Sequence, residues 1–281
     1  MFEGLKFCIS FLTRIPIKVE IKNFSEVANK IWLFPIIGFI IGLILSSISF
    51  LLTFFLPPLL VSALCLACLI YITGAHHLDG LLDFGDGLMV VGDPQKKIDV
   101  MHDVSIGAGG FSLGFIVLTI TFLSIAHSLN YVFAVLILSE IIAKFNMVAV
   151  CSIGKSVDTP MATEFIKANN WKNMFASYLL AITFALLSMY IHNFVFYYLR
   201  SLSLSNLIPY LIENLILKTI PDILPIIIIS FLCSIIPLLV IIFISYRNFN
   251  GITGDCIGAL NEITRAFSLI ILFISFNFAI I

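Results

Sequence analysis

Six of the sixteen acidic residues of this 281-residue chain fall within one short stretch, and they are Asp79, Asp83, Asp86, Asp93, Asp99 and Asp103. If the stretch is helical, with about 100° of rotation per residue, Asp79, Asp83 and Asp86 project from one face. Clustered carboxylates repel one another unless a cation lies among them, and Mg²⁺ or Mn²⁺ takes such oxygen ligands while keeping open positions for phosphate. We therefore predict a divalent-metal site at these three residues. A solvated acidic loop is the alternative.

Glycine residues flank the carboxylates and are expected to contact a substrate. Gly80 and Gly87 let a ligand approach the backbone closely, and Gly107 and Gly110 stand at the start of the next apolar run. Backbone N–H groups at a helix start favour an anion such as phosphate. Close packing of membrane helices is the alternative use of such glycines.

A second polar segment, N-G-I-T-G-D-C-I-G-A-L-N-E-I-T-R, carries Asp255 and Glu262 on one helical face. We expect Asp255 to close the same site as the first carboxylates, as a metal ligand or as a catalytic acid or base. His77 and Asp86 are candidates for the same catalytic role. Gly254 and Glu262 are expected to contact the substrate. The alternative is that Asp255 only caps the following helix.

Lys144 lies four residues after Glu140 inside a long apolar run. Such a pair can stabilise its helix as an ion pair. The lysine can instead meet a substrate phosphate near the membrane rim. The sequence leaves both interpretations open.

The residues around these candidates are those of an integral membrane protein. Hydrophobic residues make up 60% of the chain and charged residues 11%, with a mean hydropathy of +1.13, whereas a soluble domain is about a quarter charged. A net charge of −1 provides no basic patch for nucleic acid. The six cysteines show no framework spacing and are expected to be reduced.

A membrane-spanning helix needs about 20 mostly apolar residues, and about seven such runs occur within a single predicted domain, residues 1–281. We therefore predict an all-α, polytopic membrane helix bundle. The predicted spans are Ile31–Leu56, Leu59–Thr73, Phe111–Leu129, Tyr131–Cys151, Met174–Leu199, Ile223–Tyr246 and a last one from about Phe267 to Ile281. The second and the last are short for a span, which leaves open an earlier start or a tilt for each. Met1–Pro16 is predicted to be an amphipathic helix that lies in the membrane interface or caps the bundle. Leu202–Ile220 is expected at the interface.

Basic residues assign the loops to two sides. If the N-terminus is cytosolic, two basic residues, Arg200 and Lys218, fall on the outer side and twelve on the cytosolic side. The twelve are Lys6, Arg14, Lys18, Lys22, Lys30, Lys96, Lys97, Lys155, Lys167, Lys172, Arg247 and Arg265. Because cytosolic loops carry the excess of positive residues, we predict a multi-pass protein of the cell membrane. Its N-terminus and the loops 74–110 and 247–266, which hold the candidate site, are predicted to face the cytosol.

Five segments resemble the cobalamin synthase family, the membrane-bound adenosylcobinamide-GDP ribazoletransferases, in order and spacing. The most specific is T-G-A-H-H-L-D-G-L-L-D-F-G-D-G-L at 73–88. The others are F-L-T-R-I-P-I at 11–17, F-P-I-I-G-F-I-I-G at 34–42, M-H-D-V-S-I-G-A-G-G at 101–110 and G-I-T-G-D-C-I-G-A at 251–259. The resemblance implies a Mg²⁺-dependent transferase that joins adenosylcobinamide-GDP to α-ribazole or its 5′-phosphate. GMP is released, and adenosylcobalamin or its 5′-phosphate is formed.

Two other functions stay open at this point. The spacing from Asp83 to Asp103 is similar to the D-x-x-D-G…D-x-x-x-D of CDP-alcohol phosphotransferases and adds Asp103 to the expected metal ligands, although the Ala-Arg pair of that motif is absent. A cation transporter also places carboxylates near membrane helices, but usually mid-span on broken helices. The expected partners are the two substrates and the lipid bilayer, without nucleic acid, and a homo-oligomer is compatible with the sequence.

Overall fold

A computed structural model describes residues 2–18, 28–157, 160–201 and 223–278. Within these ranges the chain is α-helical, and its one β pairing is an isolated parallel bridge between Ser156 and Ile252. In chain order the helices are α1 (Phe2–Leu12), α2 (Phe34–Leu52), α3 (Pro58–Thr73), α4 (His76–Met89), α5 (Pro94–Met101), α6 (Ala108–His127), α7 (Val132–Ile153), α8 (Pro160–Ala168), α9 (Trp171–Ser201), α10 (Ile223–Phe249) and α11 (Gly254–Phe278).

Six helical segments of the described chain are long and apolar enough to cross a membrane, and α3 with α4 makes a seventh if the bent pair is one broken span. This confirms the prediction of an all-α, polytopic bundle. Lys22 and the run Leu202–Ile220 lie outside the described residues.

The bend between α3 and α4 sets the direction of α4, which carries Asp79, Asp83 and Asp86. Proline is tolerated in the first helical turn but blocks a preceding one, and α3 accordingly begins at Pro58. Gly74 ends α3 in the left-handed conformation, with φ of 69°, and Ala75 follows with φ of 63°. The chain turns by 94° here, so that α4 runs almost perpendicular to α3.

The centre of the bundle is α7, whose most apolar stretch is 94% buried. It packs against α2, α9 and α11. Two glycines allow the closest of these approaches, because a Cβ at Gly38 would lie 2.5 Å from the Glu140 carbonyl oxygen and one at Gly42 would meet the backbone of Ile137. Small residues at such crossings are typical of membrane helices.

The last span begins earlier than its apolar run, which is the earlier start that the shortness of that run leaves open. α11 starts at Gly254 and not near Phe267, so the predicted loop 247–266 shrinks to the short link between α10 and α11. Arg265, expected to be a loop cation, is only 2% exposed inside α11. The physical reason is that its charge is paired within the bundle, which a hydropathy scan does not detect.

The N-terminal helix α1 caps the bundle. Its inner face buries Phe7, Cys8 and Leu12 against α2 and the 3₁₀ turn before it, while Phe2 is exposed. This agrees with the capping alternative, and contact of the opposite face with the membrane interface stays a prediction. All six cysteines are free, as predicted.

Candidate functional site

α4 carries most of the predicted site residues and packs between α11 and α6. On one side, a Cβ at Gly80 would lie 3.1 Å from the Asp255 Cα and 3.4 Å from the Gly258 Cα. On the other side, a Cβ at Gly85 would lie 2.9 Å from the Gly109 carbonyl oxygen. An added Cβ would force a shift at Gly85 and a smaller adjustment at Gly80, so both crossings depend on glycine for their close approach. The two crossings therefore bring the first turns of α11 and α6 to the same helix.

These crossings gather four carboxylates, which we call the acidic cluster: Asp79, Asp83, Asp86 and Asp255. Asp83 lies within electrostatic range of the other three, and Asp255 interacts with Asp79. Asp79 is exposed, Asp83 and Asp255 are partly buried, and Asp86 is buried. The structure thus places Asp255 beside the α4 carboxylates, although the two segments are far apart along the chain.

The Asp86 carboxylate binds backbone amides at the N-terminus of α6. Its Oδ2 accepts a hydrogen bond from the Gly107 amide at 2.8 Å, and its Oδ1 accepts one from the Gly110 amide at 2.8 Å. A carboxylate is favourable there because the first amides of a helix lack intrahelical partners and carry a partial positive charge. The Gly107 and Gly110 amides, which are predicted to bind a substrate phosphate, therefore bind Asp86 in this structure.

The remaining glycines differ in their surroundings. A Cβ at Gly87 would lie 2.6 Å from the Met101 Cγ, so Gly87 serves the packing of α4 on α5. A Cβ at Gly254 would make an ordinary contact, 3.5 Å from the Met161 Cε. Of the predicted substrate-contacting glycines, Gly254 is thus the one where an added Cβ would meet no atom at an unusually short distance.

Asp103 stands in the exposed link between α5 and α6. The Ser105 hydroxyl donates to its Oδ1 at 2.6 Å and the Ser105 amide at 2.9 Å. These hydrogen bonds hold the pKa of the Asp103 carboxyl below its usual range. The groups acting on Asp103 belong to this local turn and not to the acidic cluster, so the structure does not bring Asp103 to the other predicted metal ligands.

Four charged side chains form what we call the buried network: Glu140, Lys144, Glu262 and Arg265. The Arg265 guanidinium pairs with Glu140 on α7 and with Glu262 on its own helix. The Lys144 Nζ donates to the Asn261 Oδ1 at 2.6 Å and lies 3.9 Å from a Glu140 carboxylate oxygen. Two positive and two negative groups compensate one another, which burial requires. Lys144 and Glu262, expected to contact the substrate, are engaged in this network in the structure.

His77 lies on α4 between the acidic cluster and the buried network. It is 5% exposed, and its Nδ1 has no hydrogen-bond partner among the described residues. It lies within electrostatic range of Lys144 and Arg265. A Cβ at Gly258 would meet its backbone at 3.3 Å. His77 therefore sits in the packed α4–α11 crossing.

Sequence reasoning missed His102 and Thr253. The exposed His102, which follows α5, lies within electrostatic range of Asp255, and its position in the M-H-D-V-S segment was the available signal. The Thr253 Oγ1 accepts from the Cys256 amide at 3.2 Å. A threonine is thus the capping residue at the start of α11, which weakens the interpretation of Asp255 as only a helix cap.

The fold and the acidic cluster define the class: a polytopic α-helical membrane protein that gathers carboxylates from two distant segments at one crossing. The family model for cobalamin-5-phosphate synthase matches residues 4–273. The chain therefore belongs to the cobalamin-5-phosphate synthase family, as its resemblance implied. It is a transferase of cobalamin nucleotide-loop assembly.

Curated relatives cover almost the full length of the chain. An adenosylcobinamide-GDP ribazoletransferase of Methanocella arvoryzae is 31% identical, over 96% of this chain and 94% of the relative. Proteins of the same name from Pyrococcus abyssi and Pyrococcus furiosus are each 30% identical, covering 96% and 95% of this chain and 97% and 98% of the relatives. No solved structure matches the chain.

Gly80→Ala tests the α4–α11 crossing. The added Cβ would lie 3.1 Å from the Asp255 Cα, so the Asp255 backbone has to give way slightly and moves the carboxylate with it. A displacement of about 1 Å can cost about 100-fold in rate, so we expect a smaller but measurable loss of transferase activity. A purified Gly80→Ala protein with wild-type activity and wild-type thermal stability would contradict the close crossing.

Proposed function

We propose that this chain joins adenosylcobinamide-GDP to α-ribazole or its 5′-phosphate, releasing GMP, in a Mg²⁺-dependent reaction. The observation that carries the proposal is the meeting of Asp255 with Asp79 and Asp83 across the α4–α11 crossing. The reaction breaks a pyrophosphate linkage and forms a phosphodiester. Such phosphoryl transfer depends on charge neutralisation and positioning, and the names of the curated relatives support these substrates.

Asp79 and Asp83 are the residues that we assign to Mg²⁺. They offer only oxygen acceptors and lie on one face of α4, where their charges repel each other. Within the described ranges, no three His, Cys, Asp or Glu side chains form a group that could hold a metal ion. Mg²⁺ usually binds through one or two carboxylates together with substrate phosphates, so two carboxylates fit its requirements. When bound, the ion would neutralise charge on the pyrophosphate.

Asp255 is the residue that we assign to accept the proton of the incoming ribazole hydroxyl. It is partly buried beside the exposed Asp79 and lies in the first turn of α11. His77 is the competing base, but its burial in the α4–α11 crossing leaves it little access to a substrate. Asp86 is assigned a supporting role, because it holds the α6 amides.

A product assay on the purified protein in detergent tests the proposal. Adenosylcobinamide-GDP, α-ribazole and Mg²⁺ should yield adenosylcobalamin and GMP in equal amounts, resolved by chromatography. CDP-diacylglycerol with an alcohol acceptor should yield no product. Product from CDP-diacylglycerol but none from adenosylcobinamide-GDP would contradict the proposed function in favour of a CDP-alcohol phosphotransferase. Cation flux in proteoliposomes without any transferase activity would contradict it in favour of a transporter.

We also propose that the acidic cluster faces the cytosol of the cell membrane. Burial of Arg265 in α11 removes one of the twelve basic residues assigned to that side, which leaves eleven against two. In a cysteine-free background, a thiol introduced at Asp93 in intact cells should react with a membrane-permeant maleimide only. A thiol at the exposed Asn130, between α6 and α7, should react with an impermeant reagent. The opposite pattern of labelling would reverse the orientation.

A further inference from the structure

Arg14 packs on the bend between α3 and α4. Its amide donates to the Ile72 carbonyl oxygen at 2.7 Å, and its guanidinium lies over the Tyr71 ring, 5.3 Å from the ring centroid. A Cβ at Gly74 would lie 2.9 Å from the Arg14 Cγ and 3.3 Å from the His76 Nε2. The side chains of Arg14 and His76 therefore meet over Gly74, where the absence of a side chain makes room for both.

The Arg14 guanidinium has N–H donors available for a ligand. Arg14 is exposed, and it takes part in none of the ion pairs of the described chain. The planar guanidinium fork matches phosphate geometry, and arginine stays charged at any relevant pH. Backbone and stem contacts hold it in place, so part of the entropic cost of binding is already met.

The position of Arg14 relates it to the acidic cluster. His76, Asp79 and Asp83 follow one another at spacings of three and four along α4, so they project from one helical face. Arg14 and His76 form the end of this face at the start of α4, and the two carboxylates continue it. A ligand lying along the face meets hydrogen-bond donors at one end and carboxylates, with their cation, at the other.

We propose that Arg14 binds a phosphate group of the guanosine diphosphate part of the substrate. The inference rests on the proposed function and adds a residue of the N-terminal segment to the substrate site. A pyrophosphate spans more than one phosphate group, so it can contact the cation at Asp79 and Asp83 and the guanidinium fork together. The proposed role accounts for an exposed arginine beside the α3–α4 bend that has no ion pair among the described residues.

Binding of GDP to the purified full-length protein in the presence of Mg²⁺, followed by calorimetry, tests the site. Arg14→Gln keeps the stem that covers Gly74 and removes the charge, and it should weaken GDP binding about 10- to 100-fold, as expected for the loss of a hydrogen bond between charged groups. Arg14→Met serves as a second variant that keeps the stem if the first does not fold. Thermal denaturation should show wild-type stability.

Lys172→Ala is the matched control. Its ammonium group lies 5.8 Å from the centroid of the neighbouring Trp171 ring, so it is also an exposed cation over an aromatic ring, on a different helix. Its loss should leave GDP affinity unchanged. GDP binding of wild-type strength in Arg14→Gln, equal weakening in Lys172→Ala, or absence of GDP binding to the wild-type protein would each overturn the site. Arg14-dependent GDP binding without product formation from adenosylcobinamide-GDP would contradict the proposed function alone.

Discussion

The substitution Asp79→Asn or Asp83→Asn is expected to lower turnover by at least about 10³-fold. This loss corresponds to about 4 kcal/mol of activation free energy. The reason is that asparagine preserves the size of the side chain but removes the charge that we assign to Mg²⁺ binding. Neither residue is fully buried, so the fold should tolerate both changes. Turnover of adenosylcobinamide-GDP, with Mn²⁺ affinity measured by electron paramagnetic resonance, provides the readout.

Asp99→Asn provides the control for general loss of negative charge. Asp99 is exposed on α5, and its Oδ1 accepts from the Gln95 side chain at 2.9 Å, a contact that an amide oxygen can also make. Its activity should stay at the wild-type level. Near wild-type activity in both Asp79→Asn and Asp83→Asn would contradict the metal assignment.

Arg265→Met is expected to cause the largest loss of stability. It leaves Glu140 and Glu262 without their shared cation in the centre of the bundle, and removing one partner of a buried ion pair costs about 3 to 5 kcal/mol. We expect a strongly lowered thermal denaturation midpoint of the protein in detergent, and a lower yield from membranes. The packing of α11 against α7 is the contact that we expect to be disrupted.

Neutralising one carboxylate separates unpaired charge from lost packing. The double variant Arg265→Met and Glu262→Gln leaves Glu140 with Lys144, which lies 3.9 Å away, and has no uncompensated charge at this position. Its denaturation midpoint should recover much of the loss. A midpoint of Arg265→Met equal to that of the wild type would contradict the network. So would a double variant that is less stable than Arg265→Met alone.

The sequence predicts the helical framework well because proline and hydropathy act locally. The break at Pro57-Pro58 and the turn at Asn130 lie where the structure ends one helix and begins the next. The start of α11 is the boundary that hydropathy predicts least well. A hydropathy scan counts Glu262 and Arg265 as costs of burial, whereas their pairing with each other and with Glu140 depends on a helix that is distant in sequence.

The site was partly predictable for the same reason. Helical spacing identifies Asp79 and Asp83 as neighbours on one face, and charge distribution placed Asp255 on their side of the membrane. Spacing does not reveal that Asp86 reaches the amides of α6, since this depends on which helix packs beside α4. Glycine is predicted at sites of close approach, and at most of these positions the structure shows another part of the bundle close by.

Asp255 provides the most direct test, because it joins two distant segments in one site. The measurement is turnover of adenosylcobinamide-GDP and α-ribazole by Asp255→Asn at saturating Mg²⁺, together with GDP affinity. Asparagine keeps a side-chain acceptor, and the Thr253 cap remains, so a residue that only caps α11 would tolerate the change. We predict that product formation is lost while GDP binding and thermal stability are retained. An Asp255→Asn protein that keeps most of the wild-type activity would contradict the proposed site.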